Sequence, residues 1–264
     1  MRVDLHNHTP RCKHASGSPS EFIARAKELG VDVYGFSCHA PMKFDEAYRM
    51  GSDELESYFA EIGELAQAEQ GAIEVLCGLE VDFIKGKESL LEERVLQASV
   101  DYLIGSVHFL DTWGFDNPAF IAEYAKRDMV QCWREYLRAI KAMADSGLFQ
   151  IVGHLDLLKV FGHTMPECVG DELESALESI AKAQMSIEIN SAGLRKTIAQ
   201  AYPSKEILSR AFAYQIPITF SSDAHSIEQV GAGYGQCLEL ARSVGYTECV
   251  IYRKKRAITL GLKG

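Results

Sequence analysis

The 264-residue chain carries a formal net charge of −10, which excludes the broad basic surface that many nucleic-acid-binding proteins use. Its content of 47% hydrophobic and 24% charged residues is typical of a globular protein and excludes an intrinsically disordered one. No signal segment or membrane-length apolar run is visible, and the seven cysteines include no CxxC pair. We therefore expect a cytoplasmic protein with reduced thiols and no membrane partner.

Short apolar runs alternate with longer amphipathic stretches along the chain. The predicted strands are Val3–His6, Asp32–Ser37, Ile73–Val81, Tyr102–Val107, Gln150–Gly153, Ser186–Asn190 and Pro217–Ser221. The predicted helices include Pro19–Leu29, Asp53–Gln70, Lys126–Ser146, Asp171–Gln184 and Ser204–Tyr214. This alternation predicts parallel βαβ units, and about seven units favour a barrel over an open sheet. We predict a single α/β domain over residues 1–264, with a long loop at Phe109–Phe120 and a frayed tail at Thr259–Gly264.

Histidine and acidic residues collect at or just past the ends of the predicted strands. These residues are His6, His8, His39, Glu80, His108, His154, Asp223 and His225. Residues i and i+2 of a strand face the same side, so His6 and His8 can share one cation, as can Asp223 and His225. The carboxyl ends of barrel strands carry the active site. The pattern therefore predicts a multi-metal site of a hydrolytic metalloenzyme.

Two further histidines lie in loops. His163 is away from any strand end, and we expect it to be solvated. His14 lies in the loop Pro10–Gly17, where spacing alone allows either a solvated side chain or a ligand.

The ordered set of His6-Asn7-His8-Thr9, His39, Glu80, His108, His154 and Asp223-Ala224-His225 resembles the polymerase-and-histidinol-phosphatase (PHP) family. The resemblance spans almost the whole chain. Within the family, the segments Gly105–Asp116 and Glu188–Lys196 are similar to the members that act on histidinol phosphate.

The resemblance implies a distorted (β/α)7 TIM-like barrel and three divalent ions, with zinc, iron and manganese left open as their identity. It implies that His6, His8, Glu80 and Asp223 hold the first ion. It further implies that Glu80 bridges to a second ion held by His108 and His154, and that His14, His39 and His225 hold a third. A hydroxide bridging two of the ions is then expected to attack phosphorus in line. Asp223 and His225 are the nearest candidates for protonating the leaving alkoxide, although a metal ligand is a poor acid.

Five residues are candidates for binding the substrate. Arg195 can donate two parallel hydrogen bonds to a phosphate, and Lys159 stands where the family often has arginine. Asp116 can pair with the ammonium of histidinol phosphate, and Trp113 and Phe115 can contact its ring. Each candidate also has a structural alternative. Arg195 could be a surface arginine and Lys159 an exposed lysine at a helix start, and the loop with Trp113 and Phe115 could be held in place by its own aromatics.

The resemblance favours hydrolysis of L-histidinol phosphate to L-histidinol and phosphate in histidine biosynthesis, with a small phosphomonoester as the partner and no nucleic acid. One alternative is a phosphoesterase of the same family that acts on nucleotides or oligonucleotides, which the acidic composition disfavours. Another is a metal-binding module without turnover, which would be expected to lack ligands. The sequence does not indicate the oligomeric state.

Overall fold

A computed structural model of the chain describes residues 1–262. Its strands are β1 (Val3–Asp4), β2 (Val33–Phe36), β3 (Glu74–Asp82), β4 (Tyr102–Ser106), β5 (Phe109–Leu110), β6 (Trp113–Gly114), β7 (Ile151–Val152), β8 (Ser186–Asn190), β9 (Ile218–Ser221), β10 (Glu248–Arg253) and β11 (Arg256–Gly261). Seven of them form a parallel sheet in the order β1-β2-β3-β4-β7-β8-β9. All seven predicted barrel strands are present, with small differences at their ends.

The first and last strands of this sheet meet and nearly close a barrel. The amide of Leu5 donates to the carbonyl of Phe220 at 2.9 Å, and the amide of His8 donates to the carbonyl of Ala224 at 2.9 Å. The two strands make these separate contacts and an isolated bridge between Asn7 and Ala224, without a continuous ladder. The distorted (β/α)7 barrel predicted from the sequence is therefore confirmed.

One large side chain packs against the first strands of the barrel. Tyr102 is fully buried, and its hydroxyl donates to the carbonyl of Leu5 at 2.6 Å. A Cβ atom at Gly35 would lie 2.0 Å from the Tyr102 hydroxyl, and one at Gly78 would lie 2.3 Å from the ring. These glycines in β2 and β3 therefore leave the space that the ring fills.

The helices pack around the sheet. They are α1 (Pro19–Glu28), α2 (Leu55–Ala68), α3 (Glu93–Leu96), α4 (Met129–Asp145), α5 (Gly170–Lys182), α6 (Lys205–Ala213) and α7 (Tyr234–Val244). The start of α1 has the expected capping box, in which Ser18 and Glu21 bond to each other's amide groups. Helix α4 begins at Met129, three residues after its predicted start at Lys126, because Asp128 accepts from the amides of Val130 and Gln131.

A C-terminal hairpin of β10 and β11 corrects the predicted frayed tail. Thr259–Gly261 pairs with β10, whereas residues 263–264 lie outside the described part of the chain. Tyr252 of β10 donates to the carbonyl of Gln150, just before β7, and lies 3.0 Å from the hydroxyl of Ser186 at the start of β8. The hairpin thus covers the amino ends of barrel strands and leaves the carboxyl ends free to form a site.

The segment Phe109–Phe120, expected to be a long loop, contains the short hairpin of β5 and β6. Within residues 1–262, no helix is both long and apolar enough to cross a membrane.

Candidate metal centre

The carboxyl ends of the barrel strands bring the nine predicted metal-binding side chains around one mouth. His6 and His8 follow β1, His39 follows β2, Glu80 lies in β3, His108 follows β4, His154 follows β7, Asp223 and His225 follow β9, and His14 lies in the first loop. All of them except His14, His39, Asp223 and His225 are at least nine-tenths buried. The parallel direction of the strands explains the convergence of the eight residues other than His14, because parallel strands end on the same face.

Glu80 lies at the centre of the group. Its Oε2 atom is 3.2 Å from Nε2 of His6 and 3.0 Å from Nδ1 of His39. Its Oε1 atom is 3.1 Å from Nε2 of His154 and 3.5 Å from Nε2 of His108. One carboxylate therefore faces imidazoles from four different strand ends.

We call Glu80 with His6, His108 and His154 the inner part of the group, and Asp223, His225, His14 and His39 the outer part, although His39 also faces Glu80. Nε2 of His8 is 3.2 Å from Oδ1 of Asp223, and the His8 ring stacks on His225 with centroids 3.9 Å apart. The ring centroid of His14 is 4.6 Å from that of His225 and 5.3 Å from that of His39. Candidate ligand atoms of His8, His39 and His225 all lie within 4.8 Å of one another, so His8 belongs to both parts.

The tautomers of the inner histidines leave hydrogen-bond acceptors facing each other. Nδ1 of His6 is 2.9 Å from a carboxylate oxygen of Glu188, and Nδ1 of His108 is 2.5 Å from a carboxylate oxygen of Asp82. Each Nδ1 can only donate to such an anion, so in the neutral ring Nε2 presents a lone pair to Glu80. Two such acceptors in contact need either a proton or a metal ion between them.

Other buried atoms support the same conclusion. Nε2 of His6, Oε2 of Glu80 and Nε2 of His225 make no hydrogen bond of good geometry within residues 1–262. Buried polar atoms without partners are costly, whereas imidazole nitrogens and carboxylate oxygens are the ligands that divalent transition metals prefer. The residues present therefore fit divalent metal ions.

Burial and charge shift the ionisation of these groups in opposite directions. Burial raises the pKa of Glu80, but the surrounding imidazoles, led by His6 and His39, outweigh it and hold that pKa well below its ordinary value. Burial lowers the pKa of His108, but the Asp82 and Glu80 carboxylates raise it to about 10. A metal ion at His108 must therefore displace a proton.

Sequence reasoning missed the carboxylates that hold these rings. Asp82 pairs with both His108 and Arg49, and the Arg49–Asp82 distance is 2.9 Å. Glu188 accepts from the His154 amide at 2.7 Å as well as from His6. The sequence did carry a signal for both residues. Asp82 lies two positions from Glu80 and so on the same face of β3, and Glu188 is an acidic residue inside the apolar run of β8.

Two of the predicted substrate-binding residues line the cavity above the histidines. This cavity has a volume of about 520 Å³, and Arg195 and Asp116 both contribute to it. Arg195 is anchored through Nη2, which donates to the carbonyls of Ser222 at 2.7 Å and Asp223 at 3.2 Å.

Trp113 and Phe115 do not line this cavity, which corrects their predicted contact with a substrate ring. Phe115 is fully buried, and its ring packs edge-on against Tyr136 at 5.5 Å. Trp113 packs against Tyr124 at 4.8 Å, with the Arg127 guanidinium 4.3 Å from its ring centroid. Both aromatics therefore hold the loop in place, as the structural alternative stated.

Lys159 also lies outside the cavity. It is 2% exposed, and its ammonium is 2.8 Å from a carboxylate oxygen of Asp156 and 2.9 Å from the carbonyl of Ala201. Its prediction as a phosphate ligand is corrected because the short turn Leu157–Lys159 directs the side chain towards these buried partners. His163 is exposed and stacks on Tyr124, away from the histidine group.

Comparison with known proteins gives relatives over nearly the full chain. The PHP domain family matches residues 4–192. A Deinococcus radiodurans protein named "Probable histidinol-phosphatase" is 40% identical over 92% of this chain and 93% of its own length. A Bacillus subtilis protein named histidinol-phosphatase is 30% identical over 90% of this chain and 99% of its own length.

A solved structure has the same fold. It is the histidinol phosphate phosphatase of Lactococcus lactis subsp. lactis in complex with zinc, L-histidinol and phosphate, with a TM-score of 0.84 and 20% sequence identity. The match covers 97% of this chain and 98% of that one. From its barrel, its strand-end histidines and these relatives, the chain belongs to the PHP domain family.

Proposed function

We propose that this protein is a metal-dependent histidinol-phosphatase, which hydrolyses L-histidinol phosphate to L-histidinol and phosphate. The observation that carries the proposal is the convergence of imidazoles from four strand ends on the buried Glu80 carboxylate, a donor set that suits divalent cations. The substrate is inferred from the two relatives that bear this name and cover nearly all of the chain. Histidine biosynthesis is the setting that this reaction implies.

We assign the metal ligands in three groups. His6, His8, Glu80 and Asp223 would hold one ion, and Glu80, His108 and His154 a second. His14, His39 and His225 would hold a third, with His8 close to the same position. Zinc is the first ion to test because the Lactococcus structure contains it, while iron and manganese suit the same donor atoms.

The chemistry that such ions supply is acidification of a bound water and neutralisation of phosphoryl charge. Asp223 suits the role of ligand better than that of acid, since nearby histidines outweigh burial and hold its pKa well below the ordinary value. Burial lowers the pKa of His225 well below its ordinary value, so its neutral imidazole is available as a ligand near pH 7.

Arg195 is the proposed phosphate-binding residue of the protein itself. Because Nη2 is fixed by two backbone carbonyls, the guanidinium is held in place at the cavity wall. Its other N–H groups can donate to phosphate oxygens in the fork geometry that arginine provides. This arrangement would orient the phosphoryl group towards the metal ligands beside Asp223.

We also propose that the protein acts in the cytoplasm. All seven cysteines are free thiols in the structure, and five of them are buried. A reducing compartment keeps such thiols reduced.

The proposal is tested by steady-state kinetics of the purified, metal-loaded protein with L-histidinol phosphate, nucleoside monophosphates and a single-stranded oligonucleotide. We expect kcat/KM for L-histidinol phosphate to exceed that for each competitor by at least about a hundredfold. A higher kcat/KM for a nucleotide or the oligonucleotide would overturn the substrate assignment.

A further inference from the structure

Two exposed aromatic side chains line the cavity above the histidines. Tyr48 is 45% exposed and Phe120 is 47% exposed, and both belong to the cavity wall. Neither is one of the two aromatics, Trp113 and Phe115, that the sequence predicted to contact a substrate ring. Exposed aromatics at a concave polar site are typical of ligand contacts.

The strand order places these aromatics away from the phosphate-binding residue. Tyr48 follows β2 and Phe120 follows β4, whereas Arg195 and Lys196 follow β8. In the seven-stranded order, taken as a ring, β8 lies three strands from β2 and two strands from β4. The cavity therefore has a basic side after β8 and an aromatic side after β2 and β4.

The aromatic side also carries a carboxylate without an ion-pair partner. Asp116 lines the cavity and is partly buried, and burial raises its pKa. No salt bridge joins it to another residue within 1–262, whereas nearby Asp45 lies 3.6 Å from the Arg49 guanidinium. Asp111, in the same loop, pairs with Lys87 at 2.7 Å. Asp116 is thus the carboxylate available to a ligand cation.

We propose that Tyr48, Phe120 and Asp116 form the subsite for the leaving alcohol and select substrates whose alcohol carries both a flat ring and an ammonium group. The inference rests on the proposed function, because it concerns the same cavity and the same bond. A phosphomonoester bound by Arg195 at the basic side would extend its other end towards these residues. The rings would contact its aromatic face, and Asp116 would pair with its ammonium group.

The test compares L-histidinol phosphate with ethyl phosphate, which lacks both the ring and the amine. We expect Tyr48→Ala and Phe120→Ala each to lower the ratio of the two kcat/KM values about fivefold. Asp116→Asn should lower this ratio about tenfold, through loss of the charged hydrogen bond. Ile121→Ala and Asp111→Asn are matched controls, since Ile121 is 50% exposed beside Phe120 and neither control residue lines the cavity.

A second readout needs no turnover. Calorimetric titration of the metal-loaded protein with L-histidinol should show a Kd raised by similar factors in the three variants and unchanged in the two controls. Metal content should stay at the wild-type level in all five proteins. If the wild-type protein hydrolyses L-histidinol phosphate but the variants keep its ratio and its Kd, the subsite is refuted and the proposed function stands. If the wild-type protein does not hydrolyse L-histidinol phosphate, the proposed function itself has failed.

Discussion

The inner and outer parts of the histidine group are held in different ways. His6 and His108 in the inner part are buried, and each ring is fixed by a buried carboxylate, Glu188 or Asp82. In the outer part, His14 and His225 use Nδ1 to contact the backbone carbonyls of Cys12 and Asp223, at 2.8 Å and 3.2 Å.

Exposure follows the same division. His14 is exposed, and the side chains of His39 and His225 are 14% and 25% exposed, whereas Glu80 is 1% exposed. Charged partners behind a ligand raise its basicity and fix its orientation, and a carbonyl does so less strongly. We therefore expect the inner part to bind metal more tightly than the outer part, which should exchange more readily.

The largest effect is expected at the carboxylate that the whole inner part shares. Glu80→Gln removes the anion facing His6, His39 and His154 and should lower kcat/KM by about a thousandfold or more. Circular dichroism should show an unchanged fold, because the amide keeps the size of the side chain. Glu64→Gln, on the exposed face of α2, is the control and should retain wild-type kinetics. Wild-type turnover of Glu80→Gln would contradict the role of the shared carboxylate.

Removal of one proposed ligand from each part tests this difference directly. After dialysis against a weak chelator, His14→Ala should lose about one ion per chain and keep the tightly held metal. His154→Ala, which removes a buried imidazole next to Glu80, should lose metal from the inner part. Elemental analysis of both variants measures the difference. Equal metal loss from the two would remove the distinction between the parts.

The carboxylate behind His108 offers a subtler test. Asp82→Asn should weaken metal binding about 10- to 100-fold, since the amide no longer fixes the His108 tautomer. Competition with a chromophoric chelator measures this affinity, and the exposed Asp53→Asn serves as the control. An affinity equal to the wild-type value would mean that Asp82 serves only to bind Arg49.

The smallest effect on the site is expected from a buried charge outside the group. Lys159→Met leaves Asp156 without its counter-ion and should lower the free energy of unfolding by about 3 kcal/mol. The exposed Lys126→Met should change that free energy by less than about 0.5 kcal/mol. Urea denaturation measures both. A raised KM for phosphate esters with unchanged stability would restore Lys159 to the substrate site.

The strand-end residues could be predicted from the sequence because parallel topology carries them to one face. His39, Glu80 and His154 needed only the positions of apolar runs and the rule that those runs end together. The same rule does not identify Glu188, because this residue lies inside a strand and not at its end. Its role depends on which side chain faces it. Its contact with His6 joins residues 182 positions apart.

Loop residues were harder to predict because side-chain direction decides their role. Phe115 and Phe120 lie in one segment, yet the first is fully buried and the second is 47% exposed at the cavity. Composition identified an aromatic loop, but it could not indicate which ring faces the core. Lys159 shows the same limit, since its charge is satisfied by Asp156 beneath the mouth.

We propose that hydrolysis depends on divalent ions held by these side chains. The most direct test removes all metal by chelation, then titrates zinc or manganese back while bound metal and hydrolysis of L-histidinol phosphate are both followed. We predict no hydrolysis in the metal-free protein and a return of activity as the inner part fills. Full hydrolysis in protein shown by elemental analysis to be metal-free would contradict the account.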